Sequence, residues 1–182
     1  MLGLLHSKTI VVPYDREWAN LFDQEERLIR EAIGQFVVDI QHVGSTSIPG
    51  MDAKPVIDMG VALARFEDGE KCVEPLVRLG YLHRGLHTRL LRHRHFVREN
   101  PLSHSLHLLE PTNEEWANLV LFRDYLIAYP DVAEEYTLLR RSLAIRFGKE
   151  PVQYTRAKRP FVSGVLEKAK LDSGYRRPSS EL

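Results

Sequence analysis

The chain has 182 residues, of which 43% are hydrophobic and 27% are charged, a composition typical of a globular protein with one hydrophobic core. Lysine plus arginine equals aspartate plus glutamate at 25 each, so the overall charge indicates neither a nucleic-acid nor a membrane partner. The single cysteine, Cys72, excludes a disulfide framework. Because no apolar run suits a signal peptide or a membrane span, a cytoplasmic location is expected.

The first half of the chain predicts strands and helices in alternation. The β-branched run at 8–14 contains a proline and suits an edge strand. Asp15 is expected to cap a helix that ends at Gly34, because apolar residues recur there at helical spacing. The further predicted elements are strands at 36–43 and 55–64, a short helix at 68–80 and a strand at 81–85.

The second half predicts two extended segments followed by helices. The extended segments are 90–100 and 105–110, joined by a turn. Thr112 and Glu115 have the spacing of a capping box, which predicts a helix start. The remaining predicted helices run from Pro130 to Gly148 and over 155–171. The order predicts an α+β fold: a mixed, largely antiparallel sheet, helices on one side, and a helical C-terminal third. Residues 1–172 are predicted to form one domain and 173–182 a flexible tail.

Asp58 is the sharpest candidate for a metal ligand. Side chains alternate along the strand at 55–64, and the odd-numbered residues from Ile57 onward are plainly core. The opposite face carries Asp58 among small residues, so a ligand could lie on it. The alternative is that Asp58 only accepts hydrogen bonds from a neighbouring loop.

The hydroxyl-rich loop before this strand is the second candidate. Its residues are Gly44, Ser45, Thr46 and Ser47. Glycine lets the backbone approach a ligand closely, and amides with hydroxyl side chains can surround phosphate oxygens. Neither a P-loop nor a dinucleotide signature is present, and a tight connection is the commoner meaning of such a stretch. Lys54 and Asp58 follow closely, which favours a phosphate site beside a metal ligand, with all of them lining one cavity.

Five segments resemble the GrpB family, over residues 9–169. They are "VVPYDREWANLF", "HVGSTSIPGMDAKPVIDM", "LHLLE", "FRDYLIAYPDVAEEYTLLR" and "YTRAKRPFV". The resemblance implies the nucleotidyltransferase fold shared with DNA polymerase beta. It also implies a nucleoside triphosphate or other phosphorylated ligand, with magnesium as cofactor.

The same resemblance implies roles for individual residues. Gly44 and Ser45 would form the phosphate loop, and Asp58 would be the first of the acids that hold magnesium. Lys158, one helical turn after Tyr154, would face the same cleft. The sequence departs from the superfamily at the second acid, which is Gly60.

On the later strand, His107 stands where a third acid is expected, with Glu110 near the strand end. Asp58, Lys54 and His107 are therefore the expected catalytic residues if the protein transfers nucleotidyl groups. A catalytically inactive module that binds a ligand or a partner is the alternative.

Arg123 lies on the apolar stripe of the helix that follows Thr112. A buried arginine needs an anion, because an unpaired buried charge costs several kcal/mol. Two interpretations are open. Arg123 forms a structural salt bridge, or it reaches the cleft and binds phosphate.

The segment 83–98 is rich in arginine and contains four histidines but no acid. An extended conformation would place Arg92, Arg94 and Arg98 on one face, which suits RNA or another anion. The favoured interpretation is a solvated basic edge strand, and RNA binding is the less favoured alternative. The irregular histidine spacing, without cysteine, argues against zinc.

Overall fold

The structure is a computed structural model, and it describes residues 2–3, 9–86, 92–99 and 101–172. Its helices are α1 (Glu17–Ile33), α2 (Val73–Arg78), α3 (Glu114–Ala128), α4 (Pro130–Phe147) and α5 (Pro151–Leu171). Its strands are β1 (Val37–Val43), β2 (Ile57–Leu63), β3 (Leu82–Leu86), β4 (Arg94–Arg98) and β5 (His104–Leu109). Short 3₁₀ turns lie at Gly34–Phe36, Ser45–Ser47 and Phe66–Glu70.

The five strands form one sheet in the order β1-β2-β5-β4-β3. β2 and β5 are parallel, and the other three neighbouring pairs are antiparallel. The register places Asp58 beside Ser105 and Gly60 beside His107 on the two central parallel strands. The elements confirm the predicted α+β class with a mixed, largely antiparallel sheet.

The two faces of the sheet differ in chemistry. The apolar face carries Ile57, Met59 and other odd-numbered residues of β2, which are fully buried against Trp18 and Ile29 of α1. Burying each such side chain stabilises the fold by about 1.5–3 kcal/mol. The opposite face, called the site face below, carries Asp58, Gly60 and Ala62 of β2 with their register neighbours.

Helices contact both faces of the sheet rather than one. Helices α1 and α2 pack on the apolar face. The Trp116 ring of α3 lies against Gly60 on the site face. Helices α3, α4 and α5 also pack against one another through Leu121, Leu126 and Val165 among others. This packing brings α4 and α5 to the end of β2 where Asp58 lies.

Several local predictions were wrong at the level of single residues. In the described part of the run at 8–14, Val12 pairs with Ala53 in an isolated bridge, and no strand forms. Asn113, not Thr112, caps α3 by accepting the Glu115 N–H at 2.8 Å. Helix α5 begins at Pro151, earlier than expected. The tail predicted at 173–182 lies outside the described residues.

The prediction of an arginine-rich edge strand was also wrong. β4 lies between β5 and β3, so its backbone hydrogen bonds are satisfied on both sides. Arg94 is 8% exposed and Phe96 is fully buried. Among the described helices, none is long and apolar enough to cross a membrane.

Candidate functional site

The hydroxyl-rich loop packs directly against Asp58. Gly44 has a positive φ of 69°, and a Cβ at that position would lie 2.6 Å from the Asp58 carboxylate oxygen Oδ2. A side chain there would therefore collide with the carboxylate, which explains the glycine. The structure places Gly44 and Asp58 together, as the sequence predicted.

The three hydroxyl residues of the loop have different surroundings. Thr46 is 2% exposed, donates to the Val56 carbonyl at 3.0 Å and contacts His42 Nε2 at 3.0 Å. Ser47 donates to the Gly44 carbonyl at 2.5 Å. Thr46 and Ser47 therefore hold the loop in shape. Ser45 keeps some exposure and forms no side-chain hydrogen bond within the part of the chain described.

Two lysines converge on Asp58 from different elements. Lys54 precedes β2 and Lys158 lies on α5, and both influence the Asp58 carboxyl electrostatically. Burial raises the pKa of Asp58, while Lys54, Lys158 and a hydrogen bond from Ser105 oppose that rise. Burial lowers the pKa of both lysines, and Asp58 opposes that effect. The structure thus brings together the predicted residues Lys54, Asp58 and Lys158.

Neither lysine has a close acidic partner among the described residues. Both side chains are half-buried. The Lys158 ammonium lies 5.9 Å from the centre of the Tyr154 ring, and no ion pair or hydrogen bond joins either ammonium to a described residue. Asp58 is the acid that acts on both ammonium groups, and two half-buried cations that share one carboxyl group favour a further anionic ligand, because desolvating an unmatched charge is costly.

Arg140 adds a third cation, which the sequence analysis missed. It is 2% exposed on α4 and lies close enough to Lys158 to lower the pKa of that lysine. Its guanidinium donates to the Asp52 carbonyl and stacks 4.5 Å from the Tyr136 ring centre. Its Nε is buried and has no hydrogen-bond partner in the described structure. This side of the site therefore has more positive than negative charge.

Trp116 explains the missing second acid. A Cβ on Gly60 would lie 2.9 Å from the Cζ3 atom of the Trp116 ring and 3.4 Å from Cε3. Real Cβ atoms essentially never approach another atom so closely, so any side chain at position 60 would have to displace the ring. The ring occupies the space that an acid at position 60 would need.

His107 belongs to a polar group on the site face rather than to a carboxylate set. Its Nε2 lies 3.3 Å from the Ser105 hydroxyl, which also contacts His95 Nε2 at 3.0 Å. Its Nδ1 lies 3.0 Å from His93 Nε2. Ser105 lies beside Asp58 in the register of β2 and β5 and lowers the pKa of its carboxyl group, so it stands between Asp58 and these imidazoles. Ser105, His95 and His93 were not predicted.

Glu110 does not supply the missing acid. Its carboxylate accepts the Phe66 N–H at 3.0 Å and pairs with Arg92 at 3.2 Å. It is therefore held beyond the end of β5 by these partners. In register, β5 offers Ser105 beside Asp58 and His107 beside Gly60, and neither is an acid.

Arg123 forms the structural ion pair that the sequence left as one of two interpretations. Its Nε pairs with Asp124 at 2.6 Å, and its Nη1 donates to the Gln41 side chain at 2.7 Å and to the His42 carbonyl at 2.9 Å. These bonds tie α3 to β1. We therefore leave Arg123 out of the ligand contacts proposed below.

The arginine-rich segment is neutralised by acids from elsewhere in the chain. Arg84 pairs with Glu99, and Arg94 pairs with Glu70 at 2.8 Å. Arg98 binds Glu25 with two hydrogen bonds of 2.7 Å. Arg92 also pairs, with Glu67 and Glu110. Arg89 lies outside the described residues. The pairing offsets the charge of the described arginines of this segment, and RNA binding stays a prediction.

The donors around Asp58 do not fit the magnesium that the family resemblance implies. Magnesium prefers several oxygen ligands, usually carboxylates with water and substrate phosphate. Here Asp58 is the one carboxylate on the β2–β5 pair, and Lys54 and Lys158 lie beside it. Positively charged groups beside the carboxylate repel a divalent cation. Magnesium at Asp58 stays a prediction, and we derive no step through it.

A cavity of about 500 Å³ lies next to the loop but not over Asp58. It is lined by residues 48–52 and by side chains of α3 and α4, and its lining includes neither Asp58 nor the two lysines. The prediction that the loop and Asp58 line one cavity is thus not met by this cavity.

Comparison with known proteins identifies the family. The protein-family model described as "GrpB protein" matches residues 8–168 of this chain. The chain belongs to the GrpB family. Among its curated relatives, the "Glutamate-rich protein GrpB" of Alkalihalophilus pseudofirmus is 36% identical over 172 residues, which cover 91% of this chain and 98% of that protein.

Solved structures place the GrpB-family chain in the expected fold. The crystal structure of the conserved protein GrpB from Enterococcus faecalis superimposes with a TM-score of 0.82 and 26% identity, covering 88% of this chain and 96% of that chain. The Cid1 poly(U) polymerase superimposes with a TM-score of 0.51 and 12% identity, covering 75% of this chain and 43% of the polymerase. The second likeness shows the nucleotidyltransferase-like fold alone.

Proposed function

We propose that this GrpB-family chain binds a phosphorylated ligand, with a nucleoside triphosphate as the expected class. The site is formed by the Gly44 loop, Asp58 and the two lysines Lys54 and Lys158. The observation that carries the proposal is that these two half-buried lysines both act on the one carboxylate that the glycine loop contacts, and that neither forms a direct ion pair with a described residue.

The residues suit phosphate for separate physical reasons. Lysine ammonium groups are compact point charges that bind phosphate oxygens. Gly44 lets the backbone come close to the site without a side chain in the way. The Ser45 hydroxyl adds a neutral donor at the same turn. Together they offer charge and hydrogen bonds to one phosphate group.

The fold supports a nucleotide as the first ligand to test. The neighbouring Cid1 structures are described with magnesium and 3'-dATP, GTP or ATP bound. The likeness to Cid1 is one of fold, so it supports the choice of ligand class and not the details of binding.

Isothermal titration calorimetry tests the proposal directly. Wild-type protein is titrated with ATP, GTP, CTP and UTP, alongside Lys54→Ala and Lys158→Ala. Each lysine variant is expected to lose about tenfold or more in affinity, because a hydrogen bond to a charged group contributes about 1.5–3 kcal/mol. Lys168→Ala changes an exposed lysine of the same helix and is the matched control. Equal affinity in all four proteins would refute the proposed site.

Binding without transfer is the version that the Gly60 geometry favours. Nucleotidyl transfer would require an acceptor oxygen to attack the α-phosphorus as the α–β bridging bond breaks and pyrophosphate leaves. That charge development normally needs several carboxylate-held metal ions, and Trp116 fills the place of the second acid.

A pyrophosphate-release assay separates the two versions. Wild-type protein with each nucleotide and magnesium is expected to release no pyrophosphate above a protein-free blank. Release that is lost in both Asp58→Asn and His107→Gln would instead establish a transferase that uses these residues.

A further inference from the structure

We propose that the site binds its phosphorylated ligand without a divalent cation, because Lys54, Lys158 and Arg140 supply a positive charge that Asp58 offsets only in part. This inference rests on the proposed function and changes the expected role of Asp58. The carboxylate then reduces the charge of the two lysines rather than holding a metal ion.

Positive charge exceeds negative charge at the end of β2. One carboxyl group, Asp58, interacts electrostatically with Lys54 and Lys158, and Lys158 also interacts with Arg140. Arg140 donates to the carbonyl of Asp52, while the Asp52 carboxylate pairs with Arg141 instead. The acid nearest to Arg140 is thus already neutralised, and the site keeps a surplus of positive charge that an anion would satisfy.

Arg140 has a buried hydrogen-bond donor without an acceptor among the described residues. The Arg140 side chain is almost wholly buried, and its Nε has no acceptor among the described residues. Buried polar groups in native proteins are nearly always hydrogen-bonded. A phosphate oxygen drawn toward Lys158 is an acceptor of suitable charge for this region of the site.

The site face of β2 and β5 has no further acid that could bind a metal ion beside Asp58. Trp116 excludes a side chain at Gly60, and β5 presents Ser105 and His107 at the neighbouring register positions. Both imidazole nitrogens of His107 are already within hydrogen-bonding distance of Ser105 and His93. A divalent ion would therefore meet one carboxylate and several cations, which is an unfavourable site for it.

The experiment compares phosphate binding with and without metal. Inorganic triphosphate and ATP are titrated calorimetrically into the full chain in excess EDTA and, separately, in excess magnesium. We expect the affinity in EDTA to equal or exceed that in magnesium, because the uncomplexed anion carries more negative charge for the lysines. Lys54→Gln and Lys158→Gln are expected to weaken binding in both buffers, while Lys168→Gln leaves it unchanged.

Asp58→Asn decides between the two roles of the carboxylate. If Asp58 only offsets the charge of the lysines, removing its charge is expected to strengthen triphosphate binding both in EDTA and in magnesium. If Asp58 holds a metal ion, the same variant weakens binding in magnesium and leaves binding in EDTA as it was. Thermal melts monitored by circular dichroism confirm that each variant is folded before it is titrated.

The outcomes distinguish this inference from the proposed function. Binding that requires magnesium, and that Asp58→Asn abolishes, would overturn the metal-free site while leaving the phosphorylated ligand in place. No binding of triphosphate or ATP in either buffer would overturn both. Binding in EDTA that is insensitive to both lysine variants would place the ligand elsewhere on the protein and also refute the inference.

Discussion

Glu25 is expected to be a main electrostatic contact between α1 and the sheet. The carboxylate is 4% exposed and accepts two hydrogen bonds of 2.7 Å from Arg98 of β4. The Tyr81 hydroxyl donates a third bond of 2.8 Å, and burial raises the pKa of that hydroxyl. Replacing Glu25 with alanine removes the carboxylate partner of the guanidinium, which keeps the Leu79 carbonyl at 3.0 Å, and the acceptor of the buried hydroxyl.

The expected loss of stability follows from the loss of this acceptor. Removing one partner of a buried ion pair costs about 3–5 kcal/mol, because the other charge remains desolvated and unpaired. For a chain of this length, each kcal/mol lowers the melting temperature by about 2–4 °C. Glu25→Ala is therefore expected to melt about 6–20 °C below wild type, measured by circular dichroism and checked by urea unfolding.

The neighbouring glutamate offers a matched control. Glu26 pairs with Arg30 one helical turn away, and both side chains are solvent-accessible. Exposed pairs of this kind contribute about 0.3–0.5 kcal/mol, so Glu26→Ala is expected to leave the melting temperature almost unchanged. The apolar double variant Glu25→Leu/Arg98→Met is expected to recover most of the loss, because no uncompensated charge remains. Equal melting temperatures for the two alanine variants would refute the reasoning.

Two further predictions concern the site face and the buried histidines. Gly60→Ala is expected to lower the free energy of unfolding by about 1–3 kcal/mol through overpacking against Trp116. Gly164→Ala in α5, where a Cβ meets nothing within 4 Å, is the control and is expected to be neutral or stabilising. If urea denaturation shows Gly164→Ala to be the less stable variant, the close contact at Gly60 is contradicted. Burial lowers the pKa of His104 to about 4, below its unfolded value of about 6.5. The unfolded state therefore binds more protons between these values, and stability rises with pH across that window by up to about 1.4 kcal/mol per pH unit. When the free energy of unfolding is measured with urea from pH 4.5 to 7, its increase with pH is expected to be smaller for His104→Asn than for wild type. His42, whose pKa burial also lowers to about 4, retains a slope of the same sign in that variant. An unchanged slope in His104→Asn would show that His104 is not buried in its neutral form.

Local sequence patterns predicted most of the helices and strands, but they did not predict which distant segments pair through backbone hydrogen bonds or ion pairs. The alternation in β2 and the helical spacing in α1 are properties of adjacent residues, so sequence alone could reveal them. The run at 8–14 has the composition of a strand, yet among the described residues only Val12 forms a β-bridge, with Ala53. Whether such a run becomes a strand depends on an available sheet edge, which no local pattern specifies.

The arginines of β4 show the same limit for charge. A segment without acids suggested a basic surface, but Arg98 binds Glu25, which lies 73 residues earlier in the chain. Arg94 is similarly paired with Glu70 of a preceding turn. Counting charges within a segment could not predict these pairs, because the fold supplies the counter-charges.

The site was predictable where its residues are close in sequence. Gly44, Lys54 and Asp58 lie within one short stretch, and in the structure the backbone of Gly44 lies against the Asp58 carboxyl group. Lys158 could be named only through the family resemblance. Arg140 had a usable signal that was missed: it shares a buried stripe of α4 with Tyr136 and Leu143, and an arginine on an apolar stripe needs an anion.

No sequence pattern indicated that Trp116 contacts Gly60, and this contact changes the interpretation of the absent acid at position 60. From sequence, Gly60 is simply an acid that is missing, and Gly60→Asp would be expected to restore a metal site. In the structure the ring edge stands where that side chain would go, so an aspartate there must first displace the tryptophan. Restoring the acid would also place a second carboxylate near Lys54 and Lys158, whose charge one carboxylate already partly offsets. The glycine, the tryptophan and the two lysines are therefore mutually consistent features of the proposed anion site, and changing one of them alone is expected to weaken it.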